Sequence, residues 1–349
     1  MPSEVHASVQ DYYGRLLGGR RDLKTSACCP TAATPAHVRA ILPRIHPEIL
    51  ERSYGCGSPI PPALEGCTVL DLGCGTGQDC YVLSSLVGAD GRVIGVDMTP
   101  AQLAVARRHA EHHRRAFGYA TGNVEFIDGY IEDLAACGID DASVDVVVSN
   151  CVLNLSPDKP RVFREIFRVL KPGGELYFSD VFADRRLPAA WIDDAELVGE
   201  CLAGALYVED FRRLLAAIGC LDARVVTRAP IAVEDESVAA KVGNARFHAA
   251  TVRAFKLPLE DRCEDFGQVA FYDGTMPEHP HQFALDDHHL FTVGKPMLVC
   301  GNTADMISAT RYARHFRVLG DKSAHLGLFD CSVPAGAGGG VTPSGAGCC

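Results

Sequence analysis

Thr68-Val69-Leu70-Asp71-Leu72-Gly73-Cys74-Gly75-Thr76-Gly77 is the stretch of this 349-residue chain that decides its fold. An apolar run of strand character ends there in an acidic residue and three alternating glycines. A parallel strand must stop at this point, and the backbone must bend tightly with no side chains in the way. We therefore expect the carboxyl edge of a sheet here, with a nucleoside-bearing ligand seated against it.

The sequence on both sides of this turn alternates between strand and helix periods. Short runs rich in Val and Ile suit strands buried on both faces, and they cover 67–72, 92–96, 145–149 and 175–181. Helical periods follow them at 78–87, 100–117, 159–170 and 207–218. Alternating βα units predict an α/β fold with a doubly wound, Rossmann-like sheet over residues 67–230.

Three further segments are expected around this sheet. Residues 1–66 predict a helical N-terminal segment that carries thiols, with helices at 9–17 and 35–50. Residues 231–330 predict a small α+β domain, with strands at 269–272, 289–293 and 297–300 and helices at 237–249 and 303–316. Residues 331–349 form a tail of Gly and Ala that ends in Cys348-Cys349, and we expect it to be disordered.

The composition excludes several kinds of partner. A net charge of −11 argues against a nucleic-acid surface, and no apolar run approaches the length of a membrane span. The first residues lack the pattern of a secretion signal, so a cytoplasmic location is expected. In that compartment the 15 cysteines should be mostly reduced, as packed side chains, ligands or redox groups.

The glycine spacing favours a cofactor without phosphate. The loop reads G-x-G-x-G, whereas dinucleotide binders use G-x-G-x-x-G to hold a pyrophosphate, so S-adenosylmethionine is the predicted cofactor. Asp97 ends the next strand, where a carboxylate can accept both ribose hydroxyls. The alternative is that Asp97 caps a helix and the glycines only form a turn. The predicted cofactor-binding residues are Asp71, Gly73, Gly75, Gly77, Gln78, Asp97, Met98, Ile131, Glu132, Asn150 and Val152.

Residues 67 to about 225 resemble class I S-adenosylmethionine-dependent methyltransferases, and five segments narrow the resemblance. These are Tyr12-Tyr13-Gly14, Tyr54-Gly55-Cys56-Gly57, Asp79-Cys80-Tyr81-Val82-Leu83-Ser84, Val148-Ser149-Asn150-Cys151-Val152-Leu153-Asn154-Leu155 and Gly199-Glu200-Cys201-Leu202-Ala203-Gly204-Ala205-Leu206-Tyr207. In this order they are similar to the arsenite methyltransferase family. The resemblance implies stepwise methyl transfer to trivalent arsenic, a soft element that prefers thiolates and that would arrive as a thiol conjugate.

Four cysteines carry the arsenic chemistry of that family. The resemblance places them at Cys28, with Cys29 as a rival, at Cys56, at Cys201 and at a fourth position that here is Ala245. Cys56 and Cys201 then bind arsenic, and Cys28 or a solution thiol completes the site. Alternatively Cys263 takes the fourth position, or the protein favours one methylation step.

A redox cycle also follows from the resemblance. Methyl transfer formally oxidises arsenic, and protein thiols can return two electrons as they close a disulfide. Cys28 and Cys56 are the expected pair, with a thiol reductant such as glutathione or thioredoxin to reopen it. Six other cysteines are interpreted as packed small side chains, namely Cys67, Cys74, Cys80, Cys137, Cys151 and Cys220.

Two other functions remain open from the sequence. A methyltransferase for a small organic nucleophile would share the glycine loop but would need a general base, for which Glu200 is the candidate. A thiol-rich metalloid scavenger or sensor with a vestigial cofactor site would explain the alanine at position 245.

Overall fold

The computed structural model describes residues 4–11, 34–53, 55 and 57–331. Its centre is an eight-stranded sheet in the order β3-β2-β1-β4-β5-β8-β7, with β6 paired to β5. The strands of its parallel half are β1 (Thr68–Leu72), β2 (Arg92–Asp97), β3 (Val124–Asp128), β4 (Val144–Asn150) and β5 (Leu170–Ala183). These bounds confirm the predicted Rossmann-like α/β sheet, because the order reverses between β1 and β4.

Helices cover both faces of the parallel half. They are α4 (Gln78–Val87), α5 (Pro100–Arg108), α6 (Ala110–Phe117), α7 (Lys159–Val169) and α9 (Val208–Ala216), with α8 (Ala195–Gly199) and β6 (Leu206–Tyr207) before the last. The single helix predicted for 100–117 is interrupted at His109. The ring of His109 stacks on His46 at 3.6 Å and lies 2.7 Å from the Glu48 carboxylate, so contacts with the N-terminal segment hold it there.

The sheet continues beyond residue 230. After β7 (Ala223–Pro230) comes α10 (Glu236–Val242), and then β8 (Phe247–Phe255) inserts antiparallel between β5 and β7. The helix predicted for 237–249 is therefore wrong in its second half. Gly243 ends α10 with φ +59°, and the following residues join the sheet. A division at residue 230 would separate β8 from both of its partners.

The C-terminal part has its own apolar core. It contains β9 (Glu264–Asp265), β10 (Gln268–Tyr272), β11 (Gln282–Ala284), β12 (Leu290–Thr292), β13 (Pro296–Val299), α11 (Gly301–Ser308), β14 (Phe316–Leu319) and β15 (Gly327–Leu328). The helix predicted for 303–316 is two pieces, since a 3-10 turn over Arg311–His315 follows α11. Residues 332–349 of the predicted tail lie outside the described residues.

The N-terminal segment contributes three short helices. They are α1 (Glu4–Asp11), α2 (Ala36–Ile41) and α3 (Pro47–Glu51), with a 3-10 turn over Leu42–Arg44 between the last two. Prolines begin both the 3-10 turn and α3, which explains why the run 35–50 is not one helix. Most of the helix predicted for 9–17 lies outside the described residues. Within the described part of the chain, no helix has the length and apolar character that a bilayer crossing requires.

Candidate active site

A cleft opens at the carboxyl edge of β1, β2 and β4. It encloses about 1030 Å³, part of which is open to solvent. The glycine loop forms one wall, and Gly73 and Gly75 have φ of +71° and +53°. A methyl group on Gly73 would lie 2.4 Å from Val152, whereas one on Gly75 would meet no atom within 4 Å. The loop therefore needs glycine at residue 73 to approach the end of β4, and at residue 75 to adopt its backbone conformation.

Asp97 joins the ends of two strands at this edge. Its carboxylate accepts hydrogen bonds from the main-chain N–H groups of Gly75 and Thr99, each at 2.8 Å. Thr99, not Asp97, is the residue that precedes α5 as its cap. Burial raises the pKa of Asp97, and the two N–H bonds counteract this effect. The carboxylate thus lies beside the glycine loop, where a ribose-bearing ligand would meet it.

Acidic groups form the floor of the cleft. Asp71 is 3% exposed and accepts a hydrogen bond from the Cys80 thiol at 3.2 Å. Burial, together with the nearby negative charges of Asp79 and Asp97, raises the pKa of Asp71 to about 8. A ligand with a net positive charge would relieve this repulsion.

Helix α1 contributes residues to the lining of the cleft. His6 and Val9 line it, and the Gln10 amide donates to the Met98 carbonyl at 2.6 Å. His6 Nε2 lies 3.1 Å from the Glu132 carboxylate, which also accepts a hydrogen bond from the Ser156 hydroxyl. Sequence analysis did not predict a role for α1, because the contacts join residues more than 80 positions apart.

Asn150 links the cleft to the segment around residue 57. Its amide donates to the Gly57 carbonyl at 3.1 Å and to the Asp79 carboxylate at 3.0 Å, and its oxygen accepts from the Gly57 N–H at 3.3 Å. A methyl group on Gly55 would lie 2.5 Å from the Asn150 amide. The two glycines therefore approach Asn150 closely from the other side of the cleft.

Ten of the eleven predicted cofactor residues line this cleft. The exception is Gly77, which begins α4 with φ +85° and whose missing side chain leaves room for Phe126. A helix start and close packing give an independent reason for glycine at this position, and its assignment to the cofactor stays a prediction. Cys74 and Thr76 also line the cleft, although the sequence pattern did not assign them to the cofactor.

Cys201 lies next to the end of the cleft. It follows α8, is 1% exposed, and its thiol donates to the main-chain oxygen of Cys151 at 3.5 Å. Both cysteines have positive φ, +59° and +58°, which only a few percent of residues other than glycine adopt. Cys151 itself lines the cleft. The predicted thiol and the predicted cofactor site are therefore neighbours.

Buried charges surround this pair of cysteines. Asp180 accepts from the Asn154 amide at 2.7 Å, and burial raises its pKa to about 7. Burial also lowers the pKa of Lys159, whereas the negative charges of Asp180, Glu132 and Cys201 act in the opposite direction. The Lys159 ammonium donates to the Ser156 carbonyl at 3.0 Å.

Comparison with known proteins gives consistent results over the whole chain. A model of a methyltransferase domain matches residues 63–219, and a model of the arsenite methyltransferase C-terminal domain matches residues 266–332. The arsenite methyltransferase of Aquipseudomonas alcaligenes is 54% identical over 338 residues, which cover 97% of this chain and 96% of that protein. The chain belongs to the arsenite methyltransferase family. The human arsenite methyltransferase is 42% identical over 326 residues, 92% of this chain and 86% of the human one.

A solved structure extends this result to the fold. The arsenic(III) S-adenosylmethionine methyltransferase of Chlamydomonas reinhardtii superimposes with a TM-score of 0.82 at 52% identity, over 85% of this chain and all of that chain. The cofactor of this arsenite methyltransferase is accordingly S-adenosylmethionine, as the glycine spacing predicted. The cleft at the ends of β1, β2 and β4 lies where the strand order reverses, which is where open α/β sheets bind their ligands.

The other predicted thiols of this arsenite methyltransferase fall in three places. Cys28 and Cys56 lie outside the described residues. Ala245 packs against the apolar cluster that contains Cys201, so alanine occupies a position where a thiol would be close to it. Cys263 lies beside Cys300 and Cys331, in a different group of thiols.

Cys151 is the site residue that sequence reasoning missed. It was interpreted as a packed small side chain, but it lines the cleft and is disulfide-bonded, whereas the other described cysteines are thiols. Its position directly after Asn150 was the available signal, because ligand-binding residues gather at the carboxyl ends of parallel strands. The apolar residues that follow it, Val152 and Leu153, made that signal easy to overlook.

Proposed function

We propose that this protein transfers methyl groups from S-adenosylmethionine to trivalent arsenic, and that the arsenic is held by Cys201 and neighbouring thiols. The observation that carries the proposal is the 3.5 Å contact between the Cys201 thiol and the main-chain oxygen of Cys151, a residue of the cofactor cleft. This contact brings a sulfur ligand to the end of the cleft where the methionine part of the cofactor would lie.

The chemistry needs positioning more than acid–base catalysis. Trivalent arsenic prefers thiolate ligands, and a pyramidal thiolate complex leaves its lone pair directed away from the sulfurs. The lone pair attacks the sulfonium methyl in line, an As–C bond forms, and the S–CH3 bond breaks to release S-adenosylhomocysteine. Because arsenic loses no proton, no general base is required, and alignment of the two reactants supplies the catalysis.

Cys151 is the thiol that we add to the predicted ligands. Its proximity to Cys201 makes it the natural partner once its disulfide is reduced. Support for Cys56 comes from its neighbours in the chain, since Gly55 and Gly57 both approach Asn150. Cys28 is retained as the expected redox partner of Cys56.

A thiol reductant completes the cycle in this proposal. The disulfide at Cys151 must accept two electrons before that sulfur can bind arsenic. A dithiol protein such as thioredoxin, or the monothiol glutathione, can supply these electrons. These reductants belong to the cytosol, which is where we place the protein.

The test is an assay with arsenite, S-adenosylmethionine labelled in its methyl group, and a thiol reductant. We expect labelled methylarsenic species in chromatography with arsenic-specific detection, and no product when the reductant is withheld. Label transferred without arsenite would contradict the proposal and favour an organic nucleophile. Binding of arsenic without any methylated product would favour a scavenger.

The acidic floor predicts a pH-dependent preference for the charged cofactor. S-adenosylmethionine carries a sulfonium charge that S-adenosylhomocysteine lacks, so it favours ionised Asp71, whose pKa is raised to about 8. Binding then releases a proton below that pKa, and the preference over S-adenosylhomocysteine should rise with pH by up to about tenfold per unit and level off above about pH 8. Titration calorimetry from about pH 6 to 8.5 measures the ratio of the affinities for S-adenosylmethionine and S-adenosylhomocysteine. Ionisations that affect the binding of both ligands equally drop out of this ratio.

The matched variant for this measurement is Asp71→Asn. It retains the size of the side chain and removes its charge, so its preference for S-adenosylmethionine should stay flat over the same pH range. An equal slope in the wild type and in Asp71→Asn would show that another group is responsible.

A further inference from the structure

Three cysteines meet in the C-terminal part of the chain. The sulfur atoms of Cys263, Cys300 and Cys331 all lie within 4.8 Å of one another. The pairing of β9 with β15 brings the two outer cysteines together, because Cys263 directly precedes β9 and Cys331 follows β15. The Phe329 N–H donates to the Cys263 carbonyl at 2.7 Å and fixes this register. The pairing of β9 with β15 therefore determines the positions of Cys263 and Cys331 in the cluster.

The cluster is enclosed but accessible from one side. Cys263 is 5% exposed, Cys300 is fully buried, and Cys331 is half-buried. All three are thiols in this structure, not members of a disulfide. A small solute can therefore approach through Cys331, whereas the two inner sulfurs would be shielded from water once it is bound.

Cys300 is prepared to be a thiolate. It precedes α11, and its sulfur accepts from the Thr303 N–H at 3.5 Å and lies 3.3 Å from the Thr303 hydroxyl. The Arg224 guanidinium approaches the same sulfur to 3.9 Å. Hydrogen bonds from Cys263 and Cys331 are the largest causes that lower the pKa of Cys300. The thiolate is the form of cysteine that binds soft, electrophilic ligands, and these contacts favour it at Cys300.

We propose that Cys263, Cys300 and Cys331 form a second binding site for trivalent arsenic, separate from the site of methyl transfer. Three convergent sulfurs match the three bonds of a pyramidal trivalent pnictogen. Structural zinc sites use four ligands, and the group formed by the described residues has three members. None of the three cysteines lines the cofactor cleft.

Binding at this site balances without any redox partner. Each cysteine sulfur displaces one hydroxide of As(OH)3, three As–O bonds break, and three As–S bonds form. The thiol protons leave with the hydroxides as water, and solvent supplies the one proton that the Cys300 thiolate lacks. Arsenic stays trivalent throughout, so the site can hold arsenic without consuming the cofactor.

The test compares arsenic stoichiometry among variants of the full chain under reducing conditions. Equilibrium dialysis against arsenite, with elemental analysis by mass spectrometry, should give one equivalent fewer for Cys331→Ser than for the wild type. Cys201→Ser should also lose one equivalent, and the double variant should lose two. Loss of one sulfur ligand should weaken the binding of arsenic to the remaining pair by at least about tenfold. Mutation of a residue that only hydrogen-bonds to a metal ligand already lowers metal affinity by about that factor.

Two controls keep this result interpretable. Cys67→Ser changes a buried thiol that donates to the Ala63 carbonyl at 3.9 Å and belongs to neither proposed arsenic site, and it should retain the full stoichiometry. Arsenic absorption spectroscopy on the Cys201→Ser variant should report three sulfur neighbours, which become two in Cys201→Ser/Cys331→Ser. Unchanged affinity for S-adenosylmethionine verifies that each variant is folded, and Cys263→Ala provides a second probe.

Several outcomes would overturn the inference. One is equal stoichiometry in the wild type, Cys331→Ser and Cys263→Ala. Another is a purified protein with zinc at the cluster that arsenite does not displace. The proposed methyl transfer is measured separately, because Cys331→Ser leaves the cofactor cleft intact. Failure of methylation together with a filled three-thiol site would therefore reject the function alone.

Discussion

Replacement of Cys201 by serine is expected to lower the rate of arsenic methylation by at least about 100-fold, while affinity for S-adenosylmethionine changes by less than about twofold. Serine retains the size and the hydrogen bond of the cysteine, but its oxygen is a poor ligand for soft trivalent arsenic. A displacement of the lone pair from the methyl axis by about 1 Å is enough for a loss of this size. Steady-state kinetics with arsenite and calorimetry with the cofactor measure the two quantities.

Cys67→Ser is the matched control for this experiment. Cys67 is also buried, and its thiol also donates to a main-chain carbonyl, at 3.9 Å from Ala63. It packs in a different apolar cluster from the one that contains Cys201. A similar loss of activity in both variants would mean that serine disturbs the fold, and full activity in Cys201→Ser would remove this thiol from the mechanism.

Replacement of Asp97 by asparagine should weaken cofactor binding by about 100-fold. A buried carboxylate that accepts two ribose hydroxyls contributes roughly 1.5–3 kcal/mol for each charged hydrogen bond, and the neutral amide offers one acceptor in its place. The variant also presents an N–H group toward Gly75, whose own N–H now donates to Asp97 at 2.8 Å. Titration calorimetry with S-adenosylmethionine measures the loss.

Asp145→Asn provides the comparison. The Asp145 carboxylate also accepts a main-chain N–H bond, from Thr68 at 2.8 Å, but it lies at the opposite edge of the sheet. Its replacement should lower stability slightly and leave cofactor affinity unchanged. If Asp97→Asn binds the cofactor as well as Asp145→Asn does, the glycine loop alone holds the nucleoside.

Local sequence patterns were sufficient to predict the strands, helices and cleft residues around the glycine loop. The strand before the glycine loop and the helix over 78–87 have the predicted bounds within one residue, because apolar strands and glycine turns are specified by consecutive residues. Asp97 and Asn150 could be placed at the cleft for the same reason, since each ends a parallel strand.

Features that depend on distant contacts could not be predicted in the same way. The helix predicted for 237–249 included the first three residues of β8, but the pairing of β8 with β5 and β7 determines their conformation. The role of Cys151 depends on Cys201, which is 50 residues away in the chain. The assignments of Cys28 and Cys56 concern residues outside the described part and stay predictions.

The antiparallel insertion of β8 has a consequence for how the two halves of the molecule communicate. A fragment that stopped at residue 230 would leave two long strands with open rows of N–H and C=O groups, a surface prone to aggregation. A fragment that keeps this sheet paired must therefore extend at least to Phe255, where β8 ends. It would still lose the bonds that the buried Arg253 makes to the Leu285 carbonyl and the Tyr312 hydroxyl. The C-terminal part, which carries the proposed three-thiol site, begins a few residues later. It is joined to the sheet by the short segment after β8 and by the buried hydrogen bonds of Arg253 and of Glu175 with Tyr312.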